Sequence, residues 1–205
     1  MNIKLHYATA EHIGFAEEIC ELIETAAKAR GTGIAKREPE YIRTKLKNEN
    51  AVIALDGNKL AGFCYIEVWQ NKEYLANSGL VVHPDYRNLG LAKQIKKKVF
   101  KLSKEKYPGV KIFGITTSLA VMKINYELGY QPVTFSELTT DDQFWNGCKS
   151  CVNHDILERN SHKNCLCTGM LLDPEKNNFV LKEKNFVQKG LDKLANLKNK
   201  RKQKK

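Results

Sequence analysis

The sequence predicts an α/β fold in which one mixed sheet carries helices on both faces. Three observations support this. Apolar residues alternate in some segments and recur at helical spacing in others, in the order β-α-α-β-β-β-α-β-α-β-β, with no internal repeat. Two apolar runs flank Asp56-Gly57-Asn58, the signal of a tight hairpin. The stretch from Leu80 to Lys93 passes from an apolar run through His83-Pro84 into a basic helix near Gly90.

Taken in order, residues 3–8 alternate and predict a strand. From Thr9 or Glu11 onward, Ile13, Ala16, Ile19, Cys20, Ile23 and Ala27 mark a helix that ends at Gly31-Thr32-Gly33. Pro39 suits the first turn of a second helix holding Tyr41, Ile42 and Leu46. The hairpin follows, and residues 76–83 form a fourth strand. A helix from about Leu89 to Lys106 places Leu91, Ile95, Val99 and Leu102 on one face. Residues 111–117 read as a buried strand, and a helix at 119–128 ends at Gly129. "YQPVTFSEL" and "CTGMLLD" read as the final strands.

With 205 residues the chain has room for one full core and an appendage. The expected division is residues 1–173 as the folded domain, with a cysteine-containing insertion at 148–167, and residues 174–205 as a basic, partly helical tail. The net charge of +11 is mostly that tail, which holds 11 Lys/Arg against 3 Asp/Glu. It reads as a solvated segment or as a polyanion contact, nucleic acid included, and it lacks a recognition motif. No apolar run approaches the ~18 residues that span a membrane. The N-terminus carries no signal-peptide core, so a cytoplasmic protein is expected.

The fourth-strand-to-helix junction, Arg87-Asn88-Leu89-Gly90-Leu91-Ala92, is chemically suggestive. A helix start offers N–H groups without intrahelical partners and favours an anion. Gly90 admits a ligand to the backbone, Ala92 keeps the next turn low, and Arg87 suits a phosphate oxygen. This stretch resembles the R/Q-x-x-G-x-G/A pyrophosphate loop of the GNAT acyltransferases, and "MKINYELGYQPV" resembles that family's later helix and Gly-aromatic segment. The resemblance covers roughly residues 1–172. It implies the GNAT fold, with a mostly antiparallel central sheet, and acetyl-CoA or another acyl-CoA as co-substrate. It also implies a backbone N–H near Val81 or Val82 to hold the thioester carbonyl. "VHPDYR", "GITTSLAVMKINYELGYQPVTFSEL" and "GIAKREPEYI" are further similar to the acyltransferase domain of N-acetylglutamate synthases, which acts at the head of arginine biosynthesis. That family often carries an amino-acid-kinase-like domain in front, which these 205 residues do not include.

The resemblance implies direct attack of an amine on the thioester, with both substrates positioned and protons removed and supplied. Many members carry a glutamate on the fourth strand, but residues 75–79 here read Leu-Ala-Asn-Ser-Gly. Glu67, sharing a face with Phe63, Tyr65 and Trp69, is the nearest candidate base; it reads equally as a solvent-facing strand residue, with deprotonation through water as the other route. The family's acid tyrosine position holds Asn125, a candidate partner for the coenzyme. Tyr126, the candidate acid or a packing residue, lies next to it and about 100° around the helix. Arg30, Lys36 and Arg37 bracket the loop where GNATs commonly admit the acceptor, and would suit a dicarboxylic amino acid such as glutamate. A succinyl donor requires a further cation near the thioester end.

Cys148-x-x-Cys151 and Cys165-x-Cys167 have spacings that suit a zinc site, with His154 and His162 as alternates; packed, inert thiols are the other reading. Cys165 and Cys167 are expected on a strand, facing one side of it. Cys20 and Cys64 read as core. The expected function is therefore acyl transfer to a small amine or amino acid, glutamate first. The alternatives are another amine or a protein substrate, or a non-catalytic CoA-binding module. GNATs often form homodimers, and no interface is identifiable in the sequence.

Overall fold

A computed structural model describes residues 1–30 and 35–176, apart from the Arg30 side chain. The chain divides into two units, residues 1–172 and 173–205. Of the second, four residues are described: Asp173 Oδ1 accepts from the backbone N–H groups of Glu175 and Lys176, as a helix start requires. The rest of the expected tail lies outside the described residues.

The first unit is a seven-stranded sheet of order β1-β2-β3-β4-β5-β7-β6. Its strands are β1 (Ile3–Tyr7), β2 (Ala51–Asp56), β3 (Lys59–Trp69), β4 (Tyr74–Val82), β5 (Lys111–Thr116), β6 (Gln131–Val133) and β7 (Thr168–Leu172). Every pairing is antiparallel except β4 with β5. The helices are α1 (Ala16–Arg30), α2 (Pro39–Lys47), α3 (Leu91–Lys106), α4 (Leu119–Glu127), α5 (Asp142–Asn146) and α6 (His154–Arg159). Among the described residues no helix is long and apolar enough to cross a membrane.

Strand alternation divides the core between the two faces. Ile53, Phe63, Tyr65 and Val81 meet α1 and α2 on one face. Val52, Ala54, Cys64, Ile66 and Leu75 meet Leu91, Ile95, Val99 and Leu102 of α3 on the other. The first face has a second cluster at its far end, where Tyr74, Ala76 and Phe113 pack with Phe135, Trp145 and Leu157 of the segment before β7. That segment contains α5 and α6, two helices too short for periodicity to mark. Glu67 and Trp69 pair with Ala76 and Tyr74 across β3 and β4, so they lie on this face between the clusters.

The expected strands appear with shifted limits. β4 starts at Tyr74, after a single helical turn at Gln70–Lys72. "YQPVTFSEL" keeps only three strand residues before turning at Phe135–Glu137. Pro132 is tolerated because β6 is an edge strand. Cys165 and Cys167 precede β7 rather than lying on it, because pairing with β5 begins only at Thr168.

Two irregularities shape the sheet. Phe63 pairs with Val81 but Tyr65 pairs with Ser78, so Gly79 and Leu80 stand opposite Cys64 as a bulge. Gly79 has φ +64°, and a Cβ there would meet Tyr65 Cε1 at 2.6 Å, so the bulge depends on glycine. Beyond the bulge's neighbour, β4 and β5 part company. They pair only at Tyr74–Lys111, Leu75–Ile112 and Ala76–Phe113, while each remains paired to β3 or β7 on its other side. A cleft therefore opens between two otherwise well-held strands.

Candidate active site

The cleft leads into a cavity of about 500 Å³. Its lining comes from both faces of the sheet: Asn77, Gly114, Asn125 and Lys96 on the α3 side, and Arg37, Tyr41, Glu67 and Trp69 on the other. The 143–167 segment closes the far wall, and Ser150 Oγ accepts from the Lys36 backbone N–H at 3.0 Å, bridging the two walls. The buried polar side-chain atoms without a hydrogen-bond partner among the described residues are Trp69 Nε1, Asn125 Oδ1 and Asn153 Nδ2, and all three residues line this cavity. Buried polar groups in folded proteins are overwhelmingly paired, so three orphans on one cavity mark a place for a polar ligand.

On the α2 side, Arg37 Nε donates to Tyr65 Oη at 2.6 Å, and its guanidinium lies 5.8 and 6.0 Å from the Tyr41 and Tyr65 ring centres. Burial pulls this guanidinium down, but Tyr65, Tyr41 and Glu67 around it hold it above its ordinary value. Glu67 is not the solvent-facing or apolar-pocket residue that the alternation suggests. Its side chain is 12% exposed, and its Oε1 accepts from Lys45 Nζ at 2.7 Å and from Tyr41 Oη. Burial, Tyr65 and Glu67 push the Tyr41 phenol far up, so it remains a donor. Lys45 and Tyr41 were not singled out in the sequence, although their i, i+4 spacing on α2 puts both on one face. Lys36 is exposed beside Arg37, and the Arg30 side chain lies outside the described residues.

On the other side, the loop Arg87–Gly90 is exposed and α3 begins at Gly90, which has φ +71° and open space around its Cα. The first α3 bond is Gln94 N–H to Gly90 O at 3.2 Å, so the N–H groups of Leu91, Ala92 and Lys93 have no intrahelical partner. Asn88 has φ +63°, a left-handed conformation that asparagine tolerates, and Leu89 is exposed. Arg87 Nε donates to Val82 O at 3.4 Å. Val81 and Val82 are paired with β3, and the part of β4 that lines the cavity is Ala76–Leu80. Val81 and Val82, expected at the thioester, are therefore not among the residues that line the cavity.

The structure separates Asn125 from Tyr126. Asn125 is 1% exposed and lines the cavity; Tyr126 is 63% exposed and lines a separate shallow hollow with Met122, Pro132 and Met170. One helical step of rotation accounts for the difference, and Tyr126 is not brought to the site. Asn77 is held nearby, donating to Ser103 Oγ at 2.9 Å and accepting from Tyr130 Oη at 3.0 Å. Lys96, 2% exposed, was also missed; the signal was a lysine on the Ala92–Val99–Ser103 stripe of an otherwise core-facing helix.

The expected zinc site is not formed. Cys148, Cys151, Cys165 and Cys167 all line the cavity, but among the described residues no group of three or more His, Cys, Asp or Glu side chains is placed to hold a metal ion. Burial, then neighbouring thiols, pushes Cys148 up to about 11 and Cys167 up to about 12, so both are protonated at neutral pH. All six cysteines are free thiols.

A family model described as the acetyltransferase (GNAT) family matches residues 16–124. No protein of curated function matches the sequence significantly. Among solved structures, N-acetylglutamate synthase from Neisseria gonorrhoeae, complexed with coenzyme A and N-acetyl-glutamate, is 16% identical with a TM-score of 0.60. The match covers 83% of this chain and 35% of that one, so this chain spans about a third of that synthase. Rv2747 from Mycobacterium tuberculosis, in complex with CoA and NLQ, is 14% identical with a TM-score of 0.58, covering 83% and 98%. Diaminobutyrate acetyltransferase EctA from Paenibacillus lautus, in complex with L-2,4-diaminobutyric acid and coenzyme A, is 14% identical with a TM-score of 0.56, covering 84% and 95%. At these identities the likeness is one of fold.

Proposed function

The chain belongs to the GNAT acetyltransferase family, and from that premise we propose that it transfers an acyl group from acyl-CoA to the amino group of a small amino acid, glutamate being the best candidate. The observation that carries the choice of acceptor is the cation wall. Arg37 lines the cavity between two tyrosines, with Lys36 also on the lining, while Lys45 pairs with Glu67 and offsets its charge, a setting for an acidic acceptor rather than a polyamine. A place in arginine biosynthesis belongs to the same reading, on the sequence likeness.

The chain's residues fit the donor. The free N–H groups at the start of α3, with Arg87 and Gly90, would take the pyrophosphate, and the cleft between β4 and β5 would admit the pantetheine arm. Asn125 Oδ1, an orphaned acceptor, would accept an amide N–H of that arm. When bound, the thioester supplies an acyl carbon open to attack. Backbone N–H groups at the Gly79–Leu80 bulge would receive the developing negative oxygen. Glu67 accepts the proton that the acceptor nitrogen loses as the nitrogen–carbon bond forms, directly or through one water. The carbon–sulfur bond breaks with its electron pair on sulfur. With Tyr126 outside the cavity, sulfur takes its proton from water.

The test is release of free coenzyme A across a panel of amino acids, amines and peptides. Stimulation by glutamate is expected, and Arg37→Ala should raise KM for glutamate about 10-fold or more through loss of a charge-assisted contact. Stimulation by amines or peptides alone would defeat the amino-acid reading. Coenzyme binding with no turnover would reduce the protein to a binding module.

A further inference from the structure

Lys96 is a buried cation for which the mechanism has no use. It projects from α3, is 2% exposed, and lines the cavity. Its ammonium lies 5.1 Å from the centre of the Tyr130 ring and is also acted on by the Cys64 thiol, itself pushed up to about 11 by burial. No acidic side chain among the described residues pairs with it. Burial drives it down to about 8, so near neutral pH it is still mostly protonated and lacks a counter-charge. Buried charges in folded proteins are paired. Of the neutral polar side chains on this face, Asn77 is already satisfied by Ser103 and Tyr130, and Asn125 offers an amide oxygen but no charge.

Position decides which molecule brings the anion. Arg37 and Lys45 lie on the α2 face of the sheet, whereas Lys96 projects from α3 on the opposite face, by the Cys64 thiol and the Tyr130 ring. The anion therefore belongs to the molecule that enters along α3, the donor. The coenzyme's own phosphates do not reach this point. They require the exposed loop at Arg87–Gly90, about 9 Å of helix rise away, and the pantetheine arm between is uncharged. What remains is the acyl chain.

We propose that Lys96 pairs with a carboxylate at the end of the donor's acyl chain, so that the preferred donor is a dicarboxylic acyl-CoA rather than acetyl-CoA. This rests on the acyl-CoA reading of the cavity. Ion pairing and hydrogen bonding to a buried lysine discriminate sharply, because an apolar chain end leaves the ammonium unpaired.

Succinyl-CoA and butyryl-CoA make the test, since both carry four-carbon acyl chains and differ in a terminal carboxylate against a methyl group. Dissociation constants are measured by calorimetry without acceptor, alongside kcat/KM with glutamate. The wild-type protein is expected to bind succinyl-CoA about 10-fold or more tightly than butyryl-CoA. In Lys96→Met that preference should fall about 10- to 100-fold, with Lys96→Gln intermediate. Thermal unfolding of each variant confirms that it is folded, and methionine is well suited to the site. Equal affinities in the wild type would overturn the proposal, as would a Lys96→Met variant that weakens both donors alike, since that assigns Lys96 to the common chemistry. Failure to bind either donor or free coenzyme A would instead sink the acyl-CoA reading itself, and the proposal with it.

Discussion

At the scale of single residues, Glu67 and Lys96 face opposite electrostatic situations. Glu67 has two donors on one oxygen, a lysine and a phenol, and needs both to sit at the cavity wall while 12% exposed. Glu67→Gln should fold and bind donor, yet lose on the order of 10²- to 10⁴-fold in kcat, the usual worth of a positioned base. A kcat within 3-fold of wild type would leave water as the sole proton acceptor. Lys96 has no acidic partner among the described residues, and its lowered pKa works against folding. Below pH 8 the lysine is charged in both states and its burial cost is fully present. Between about 8 and 10.5 the unfolded chain holds the extra proton, so this cost disappears as pH rises. The raised thiols Cys64, Cys148 and Cys167 act in the opposite sense: their contribution is full below about pH 8.5 and is lost as the unfolded thiols ionise. Comparing wild type with Lys96→Met in a Cys64→Ala background removes the thiol that interacts with Lys96 and cancels the others. The variant's pH-dependent advantage in unfolding free energy should be on the order of 3 kcal/mol at pH 7 and vanish near pH 10.5.

At the scale of elements, the β4 bulge does two jobs with one glycine. It bends β4 out of reach of β5, and it lets the backbone lie against the Tyr65 ring that holds Arg37. Gly79→Ala adds a methyl 2.6 Å from Tyr65 Cε1 at a positive φ, and is expected to cost roughly 1–3 kcal/mol in thermal or denaturant unfolding. Because the ring must move, KM for the acceptor should rise more than KM for the donor; equal effects would detach Tyr65 from acceptor binding. The strands, the long helices and the turn into α3 were legible in the sequence because each repeats its pattern over several residues or is bounded by a marked residue such as Gly90. Asn125 and Tyr126 were only half legible. Spacing put them on the right helix, but which one enters the cavity depends on α4's rotation against β5 and β7, a tertiary choice. The helices at Asp142–Asn146 and His154–Arg159 were invisible, since five or six residues cannot display a helical period.

At the scale of the whole molecule, the site is enclosed between the body of the sheet and the 143–167 segment, which supplies Trp145, the thiols and Ser150. Its four cysteines looked like metal ligands because sequence spacing reports how far apart residues are along the chain, not whether their sulfurs converge. Held protonated, Cys148 and Cys167 should alkylate with iodoacetamide at pH 7 more slowly than a free cysteine, and more slowly still once donor and acceptor fill the cavity. Rapid labelling indifferent to ligand would show these thiols to be reactive and outside the site. The enclosure has an optical consequence. The chain contains two tryptophans, Trp69 and Trp145, and both line this one cavity. Its intrinsic indole emission therefore originates at this cavity, and entry of a ligand should shift that emission without any attached dye, so the protein is its own binding assay.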